Sequence, residues 1–166
     1  IDLVFYHRIL KYTRTGKTLE IGGGTGNLKE HIPNVVSTDI IDAPWLDVQC
    51  DAQDMPFEDN TFDNIVGIDV LHHLENPVLF FEEARRILKK SGRLILLDPS
   101  ITWVSWFFYH FFHEEPVDLS ISNPLEYHKP DPNREPFDAN QAIPTLLFVK
   151  KRIFFERHFP DFQILI

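Results

Sequence analysis

The chain has 166 residues, a formal net charge of −9 and a single cysteine, Cys50. That length suffices for one domain with a real core. The acidic balance argues against a surface that neutralises nucleic-acid phosphates, and one thiol excludes an internal disulfide framework or a cysteine-built zinc site. No apolar run reaches the roughly 18 residues of a membrane span, and no leader peptide is legible. With the lone thiol, this points to the cytoplasm. The start at Ile1 and the end in Gln163-Ile164-Leu165-Ile166, a strand just begun, read as a trimmed chain.

Residues 1–15 place Phe5, Tyr6, Ile9, Leu10 and Tyr12 at helical spacing among basic residues, an amphipathic helix leading into the first strand. Thr18 to Ile21 is a short, largely apolar run that breaks into Gly22-Gly23-Gly24-Thr25-Gly26. A strand, a tight turn and a helix start are the expected products. Glycines at 22, 24 and 26 remove Cβ atoms where a ligand lies against backbone N–H groups, and the helix behind them turns unpaired N–H groups toward it. A second strand follows at Val35 to Asp39. Only Ile40 to Leu46, with Pro44 inside, is left before the third strand at 46–51, so a short loop or a single turn is expected there.

Phe62 to Asp69 reads as a buried fourth strand. Asn76-Pro77 opens a helix, with Asn76 as N-cap and Pro77 at the first helical position. Its apolar face is Val78, Phe81, Ala84, Ile87 and Leu88, with Gly92 as the stop. Arg93 to Asp98 is the fifth strand. The alternation of strands and helices predicts an α/β, Rossmann-like, doubly wound and mostly parallel sheet with helices on both faces, its C-terminal strands incomplete.

The spacing of the glycines separates two ligands. A dinucleotide fingerprint, G-x-G-x-x-G, would need glycine at Asn27 or at Lys29. What stands instead is E-x-G-x-G-x-G. Together with STDI, DAQDMPF, FDNIVGIDVLHHL and GRLILLDP in that order, it resembles the class I S-adenosylmethionine-dependent methyltransferases, in particular their small-molecule type 11 branch. The likeness covers about residues 15–100 and thins after Asp98.

The resemblance implies S-adenosylmethionine as cofactor and Glu20, Gly22, Gly24, Gly26, Asp39, Asp51, Ala52 and Asp69 as its binding residues. Glu20 would orient the glycine loop near the methionine ammonium. Asp39 could accept from both ribose hydroxyls, as strand-end acids do in nucleotide folds, or be a solvated strand-end acid. Asp51 and Ala52 would meet the adenine edge, and Asp69 would sit beside the sulfonium, where an acid also suits a cation. Adjacent His72 and His73 point in different directions, so one faces the pocket; by position in the family that is His72, as general base or as packing over the cofactor. His110, His113, Glu114 and Glu115 lack further ligands, and no metal is expected.

Trp103 to Phe112 is apolar nearly all round a helix yet too short to span a bilayer. A lid over an apolar acceptor, a homodimer contact and an interfacial patch compete, and Glu114 and Glu115 count against a membrane. Residues 116–144 carry six prolines and read as an irregular insertion. Residues 101–150 would thus form an acceptor-side lid on a 1–100 cofactor core, with Tyr127, His128, Arg134 and Asp138 as unranked candidates. Residues 151–166 complete the single domain with a helix over 150–158 and the start of a sixth strand. The function expected is methyl transfer to a small organic acceptor, not a nucleic acid. A non-catalytic cofactor-binding or docking protein is the alternative, and an NAD-dependent reductase a distant third.

Overall fold

Five parallel strands form the centre of the molecule: β1 (Thr18–Ile21), β2 (Val35–Asp39), β3 (Val48–Gln49), β4 (Phe62–Ile68) and β5 (Leu88–Leu97), in the order β3-β2-β1-β4-β5. The computed structural model describes residues 3–24, 27–102 and 116–165. With β1 flanked by β2 on one side and β4 on the other, the chain leaves it in two directions. This opens a crevice at the strands' carboxyl ends.

Alternation along the strands supplies two apolar faces. Leu19, Ile21 and Ile65 point to one cluster, which is closed by helix α2 (Pro77–Ile87) and by helix α4 (Arg152–His158). Val66 points to the other, where Tyr6 and Ile9 of helix α1 (Leu3–Tyr12) pack with Leu28 and Ile32. The larger cluster is aromatic at its centre. The ring of Phe81 lies 4.8 Å from that of Phe155, 5.5 Å from Phe159, 6.2 Å from Phe148 and 6.3 Å from Phe162. These partners come from the last 20 residues described, so Phe81 ties the C-terminal segment to the sheet.

Several expectations are corrected. The helix after the glycine turn is a 3₁₀ turn, Asn27–Glu30. The third strand is only two residues long, because Asp47 turns back and its Oδ2 accepts the Ser37 N–H at 2.7 Å. Asn76 does not cap α2 with its side chain: its Oδ1 accepts from the His128 N–H instead. Helix α2 ends at Ile87 rather than at Gly92, and Gly92 serves the irregularity where β5 slips register against β4. A Cβ there would press on the Leu88 side chain and the Lys89 carbonyl. The expected 150–158 helix begins a residue or two late, after the short helix α3 (Ile143–Thr145) and a π-helical turn, Leu146–Lys150. Residues 162–165 form no sixth strand. The brief loop expected at 40–46 is present, with a turn at 44–45.

Truncating the aromatic hub tests this account of the core. Phe81→Ala is expected to cost about 3–5 kcal/mol, read as a lowered midpoint in urea unfolding with little change in slope.

Candidate functional site

The turn after β1 is built by hydrogen bonds to β2. The Gly23 N–H donates to the Thr38 carbonyl at 2.8 Å, and the Gly24 N–H donates to Asp39 Oδ2 at 2.9 Å. Gly22 (φ +63°) packs against Val70, and a Cβ at that position would drive into it. Gly23, which sequence spacing does not single out, is equally constrained, because a Cβ there would strike Ser37 Oγ. Gly24 has φ +33°, and a Cβ there would meet the Gly22 carbonyl at 3.7 Å, an ordinary contact. Gly26 lies outside the described residues, as do the 103–112 aromatic segment and the His110, His113, Glu114 and Glu115 set.

A cavity of about 320 Å³ opens beside this turn, within the size range of small-molecule sites. Gly22, Asp39, Asp51, Ala52 and Asp69 line it, so five of the expected cofactor residues meet there. Asp39 Oδ1 accepts the Ile41 N–H at 3.0 Å. Each oxygen of that half-buried carboxylate therefore keeps a lone pair for a ligand hydroxyl. Asp51 is turned into its own loop, Oδ1 accepting from the Gln53 N–H at 2.8 Å. Asp69 sits at φ +53°, a conformation that Asp tolerates better than most residues. Its N–H donates to the Leu97 carbonyl at 2.8 Å, which holds the strand end in that shape. Cys50 also lines the cavity, and burial pushes its thiol up, away from the reactive thiolate.

Two residues stand elsewhere than expected. Glu20 is not on the cavity wall. It is buried beneath the turn, accepting from Ser37 Oγ, and burial raises its carboxyl above the usual range, against the lowering effect of that hydrogen bond. Of the histidine pair, His73 lines the cavity while His72 turns inward. The His72 side chain is 4% exposed and its Nδ1 lies 2.9 Å from Asp98 Oδ1, whose side chain is also 4% exposed. A carboxylate only accepts, so Nδ1 carries the proton in this bond. The preference for His72 on the pocket wall is corrected: adjacent side chains diverge, and His72 is the one that closes onto β5.

The insertion supplies the remaining wall through Asp131, Arg134, Glu135, Pro136 and Phe137. Of the four candidates named there, only Arg134 lines the cavity. Tyr127 is exposed, His128 bonds through its backbone, and Asp138 Oδ2 accepts the Glu135 N–H. The cavity wall carries six carboxylates, on Asp39, Asp51, Asp69, Glu75, Asp131 and Glu135, against one guanidinium. Such a site favours a cation and repels a pyrophosphate.

A family model described as a methyltransferase domain matches residues 19–96, the stretch that builds β1 to β5. Ubiquinone/menaquinone biosynthesis C-methyltransferase UbiE of Cellvibrio japonicus is 35% identical over 109 residues, covering 51% of this chain and 44% of that protein. A solved structure from Bacillus halodurans, assigned as a methyltransferase, superposes with a TM-score of 0.53 at 27% identity, over 66% of this chain and 56% of the other. Residues 19–96 thus carry the methyltransferase-domain pattern, and the fold is similar to that of class I S-adenosylmethionine-dependent methyltransferases. The chain spans less than half the length of the curated relative it matches. The family's cofactor, S-adenosylmethionine, fits the residues present. It is cationic, as the acid-lined cavity demands.

Two predictions separate structural from ligand-facing acids and imidazoles in this methyltransferase domain. The folded state holds the Glu20 proton to higher pH than the unfolded state does. Stability should therefore fall as pH rises from the ordinary carboxylate range through the raised folded value. Glu20→Gln is expected to remove that component, so that the variant's stability falls less with rising pH than the wild type's from pH 4 to 8. His72→Ala strands the buried Asp98 carboxylate and is expected to cost about 1–3 kcal/mol in chemical denaturation.

Proposed function

We propose that this chain transfers the methyl group of S-adenosylmethionine to a small, largely apolar organic acceptor in the cytoplasm. The observation that carries the reading is the convergence of Gly22, Asp39, Asp51, Ala52 and Asp69 on one acid-lined cavity at the crevice between β1 and β4. When bound, S-adenosylmethionine supplies an electrophilic methyl on a positively charged sulfur.

The chain's own work is binding and alignment. Asp39 accepts the ribose hydroxyls, Asp51 and the Ala52 backbone border the adenine, and the Gly22 turn with Asp69 receives the cationic end. The carboxylates hold that charge without attacking the methyl, and the walls exclude water, so alignment supplies most of the acceleration. Any proton that the acceptor must lose passes to the wall that carries His73, since His72 is engaged with Asp98.

The acceptor side belongs to residues 101–150. An apolar acceptor is supported by the aromatic composition of 103–112 and by the printed role of the C. japonicus relative in ubiquinone and menaquinone biosynthesis. The net charge of −9 and the cavity's carboxylates speak against a nucleic-acid acceptor. A protein that binds the cofactor without turning it over remains the competing reading, favoured by the absence of His72 from the cavity wall.

Calorimetric titration separates these readings. S-adenosylmethionine and S-adenosylhomocysteine are expected to bind the full-length protein, NAD is not, and Asp39→Ala should weaken binding about 10- to 100-fold. That range follows from losing one or two hydrogen bonds to a charged acceptor. No binding of S-adenosylmethionine by the folded wild type would refute the proposal. Binding without methyl transfer to any of a panel of quinols, phenols and amines would favour the non-catalytic reading.

A further inference from the structure

Between the buried residues Leu125 and Gln141 the chain has no apolar anchor. Tyr127 is 57% and Phe137 71% exposed, and among residues 126–138 only Arg134 is half-buried. A segment so poor in packing would be expected to wander, yet it follows a defined line. The His128 N–H donates to Asn76 Oδ1 at 2.6 Å, and the Asp131 N–H donates to Glu75 Oε1 at 2.8 Å. Arg134 Nη2 donates to the His73 carbonyl at 2.8 Å, and the Asn140 N–H donates to the His72 carbonyl at 2.8 Å. As the numbers on the insertion rise from 128 to 140, those on the turn after β4 fall from 76 to 72. The segment therefore lies antiparallel across that turn, as a strap.

Three of the four attachments use a backbone N–H of the strap; Arg134 alone uses a side chain. The same Nη2 also donates to the Asp138 carbonyl at 2.8 Å, so one guanidinium joins the turn to the far end of the strap. Asp131, Arg134, Glu135, Pro136 and Phe137 then line the cavity together with Ile40, Asp51 and Ala52 of the sheet's loops. Two of the strap's bonds, at Asp131 and between Arg134 and Asp138, are exposed, and two, at His128 and between Arg134 and His73, are part-buried. A segment held by polar bonds without apolar packing opens locally at lower cost than a packed core. A wall held this way can admit a cofactor and still retain it, as mobile covers do in many enzymes.

We propose that residues 128–140 are a latched strap over the cofactor cavity, and that Arg134 is the positioning residue that keeps it closed. The inference rests on S-adenosylmethionine as the ligand of that cavity. Arg134 acts through the strap and touches no reacting atom. Its loss speeds cofactor escape, and neither the sheet nor the glycine turn changes.

The test is dissociation of radiolabelled S-adenosylmethionine from the full-length protein, chased with excess unlabelled S-adenosylhomocysteine. Limited chymotrypsin cleavage after Tyr127 and Phe137 is followed alongside it, in the absence of cofactor. Arg134→Gln is expected to release cofactor roughly ten-fold faster, the scale of one charge-assisted hydrogen bond, and to be cut faster at both sites, with an unchanged thermal midpoint. Arg134→Lys, which can still donate to a carbonyl, should recover part of the retention. Equal release and equal cleavage in wild type and Arg134→Gln, with cofactor still bound, would overturn the strap. Failure of the wild type to bind S-adenosylmethionine would overturn the cofactor reading, and faster cleavage of Arg134→Gln would then still mark the latch.

Discussion

The turn after β1 touches both neighbouring strand ends, and the cavity exists because no side chain fills those contacts. Gly22 meets Val70 beyond β4, while Gly23 lies against Ser37 of β2 and bonds to Thr38. Parallel strands 4.7–4.9 Å apart bring their ends this close as a matter of course. What the sequence adds is the removal of Cβ atoms where backbone has to pass. The Gly24 N–H then orients Asp39, and Trp45 Nε1–H donates to the Gly24 carbonyl at 2.7 Å from the outer side. The turn and the carboxylate at the end of β2 are thus joined by one set of bonds.

The two ends of the chain are held to this frame by different forces. The sheet and its helices are held by burial, with Leu19, Ile65, Phe62, Phe80 and Phe81 all close to zero exposure. The loop from Met55 to Asp59 is held by charge: Arg86 donates to the carbonyls of Phe57 and Met55 and pairs with Glu83 and Asp59. Those partners raise the Arg86 guanidinium further above its already high range, Glu83 contributing most. A planar fork with five N–H donors serves five acceptor atoms on four residues here, which a lysine could not. The insertion is held by polar bonds alone over most of its length. Burial fixes a conformation, whereas polar bonds without apolar packing leave it free to reopen, and the cavity lies at the boundary between the two regimes.

Charge divides the site in the same way. Glu20 and Asp98 are acids at the strand ends, and both are withdrawn into the protein, on Ser37 and His72 respectively. Asp39, Asp51 and Asp69 are acids at or just beyond strand ends, and all three line the cavity, Asp51 with its carboxylate bonded within its own loop. The difference is direction. Successive side chains on a strand point to opposite faces, and on β1 both Glu20 and Ile21 are buried, Ile21 in the larger apolar cluster.

The succession of strands along the chain, the glycine turn and the acids closing β2 and β4 were legible in the sequence, because a parallel strand reads as a short apolar run and a backbone-lined turn reads as glycine. The order of those strands within the sheet was not. Asp39, Asp51, Ala52 and Asp69 were singled out by the resemblance of their motifs to the methyltransferases. The short 3₁₀ turn after the glycines, the two-residue β3 and the stop of α2 at Ile87 were not legible. Each was decided by a partner far along the chain, such as Asp47 on Ser37 or the slip of β5 against β4. The same holds for the histidines: nothing local distinguishes His72 from His73, and only the position of Asp98, 26 residues on, turns one of them inward. By itself the sequence determined the periodicities and backbone permissions that specify this sheet and its turn. The tertiary structure alone decided which side chains reach the cavity and that a polar insertion walls it, because those facts depend on contacts between segments whose separation no local pattern encodes.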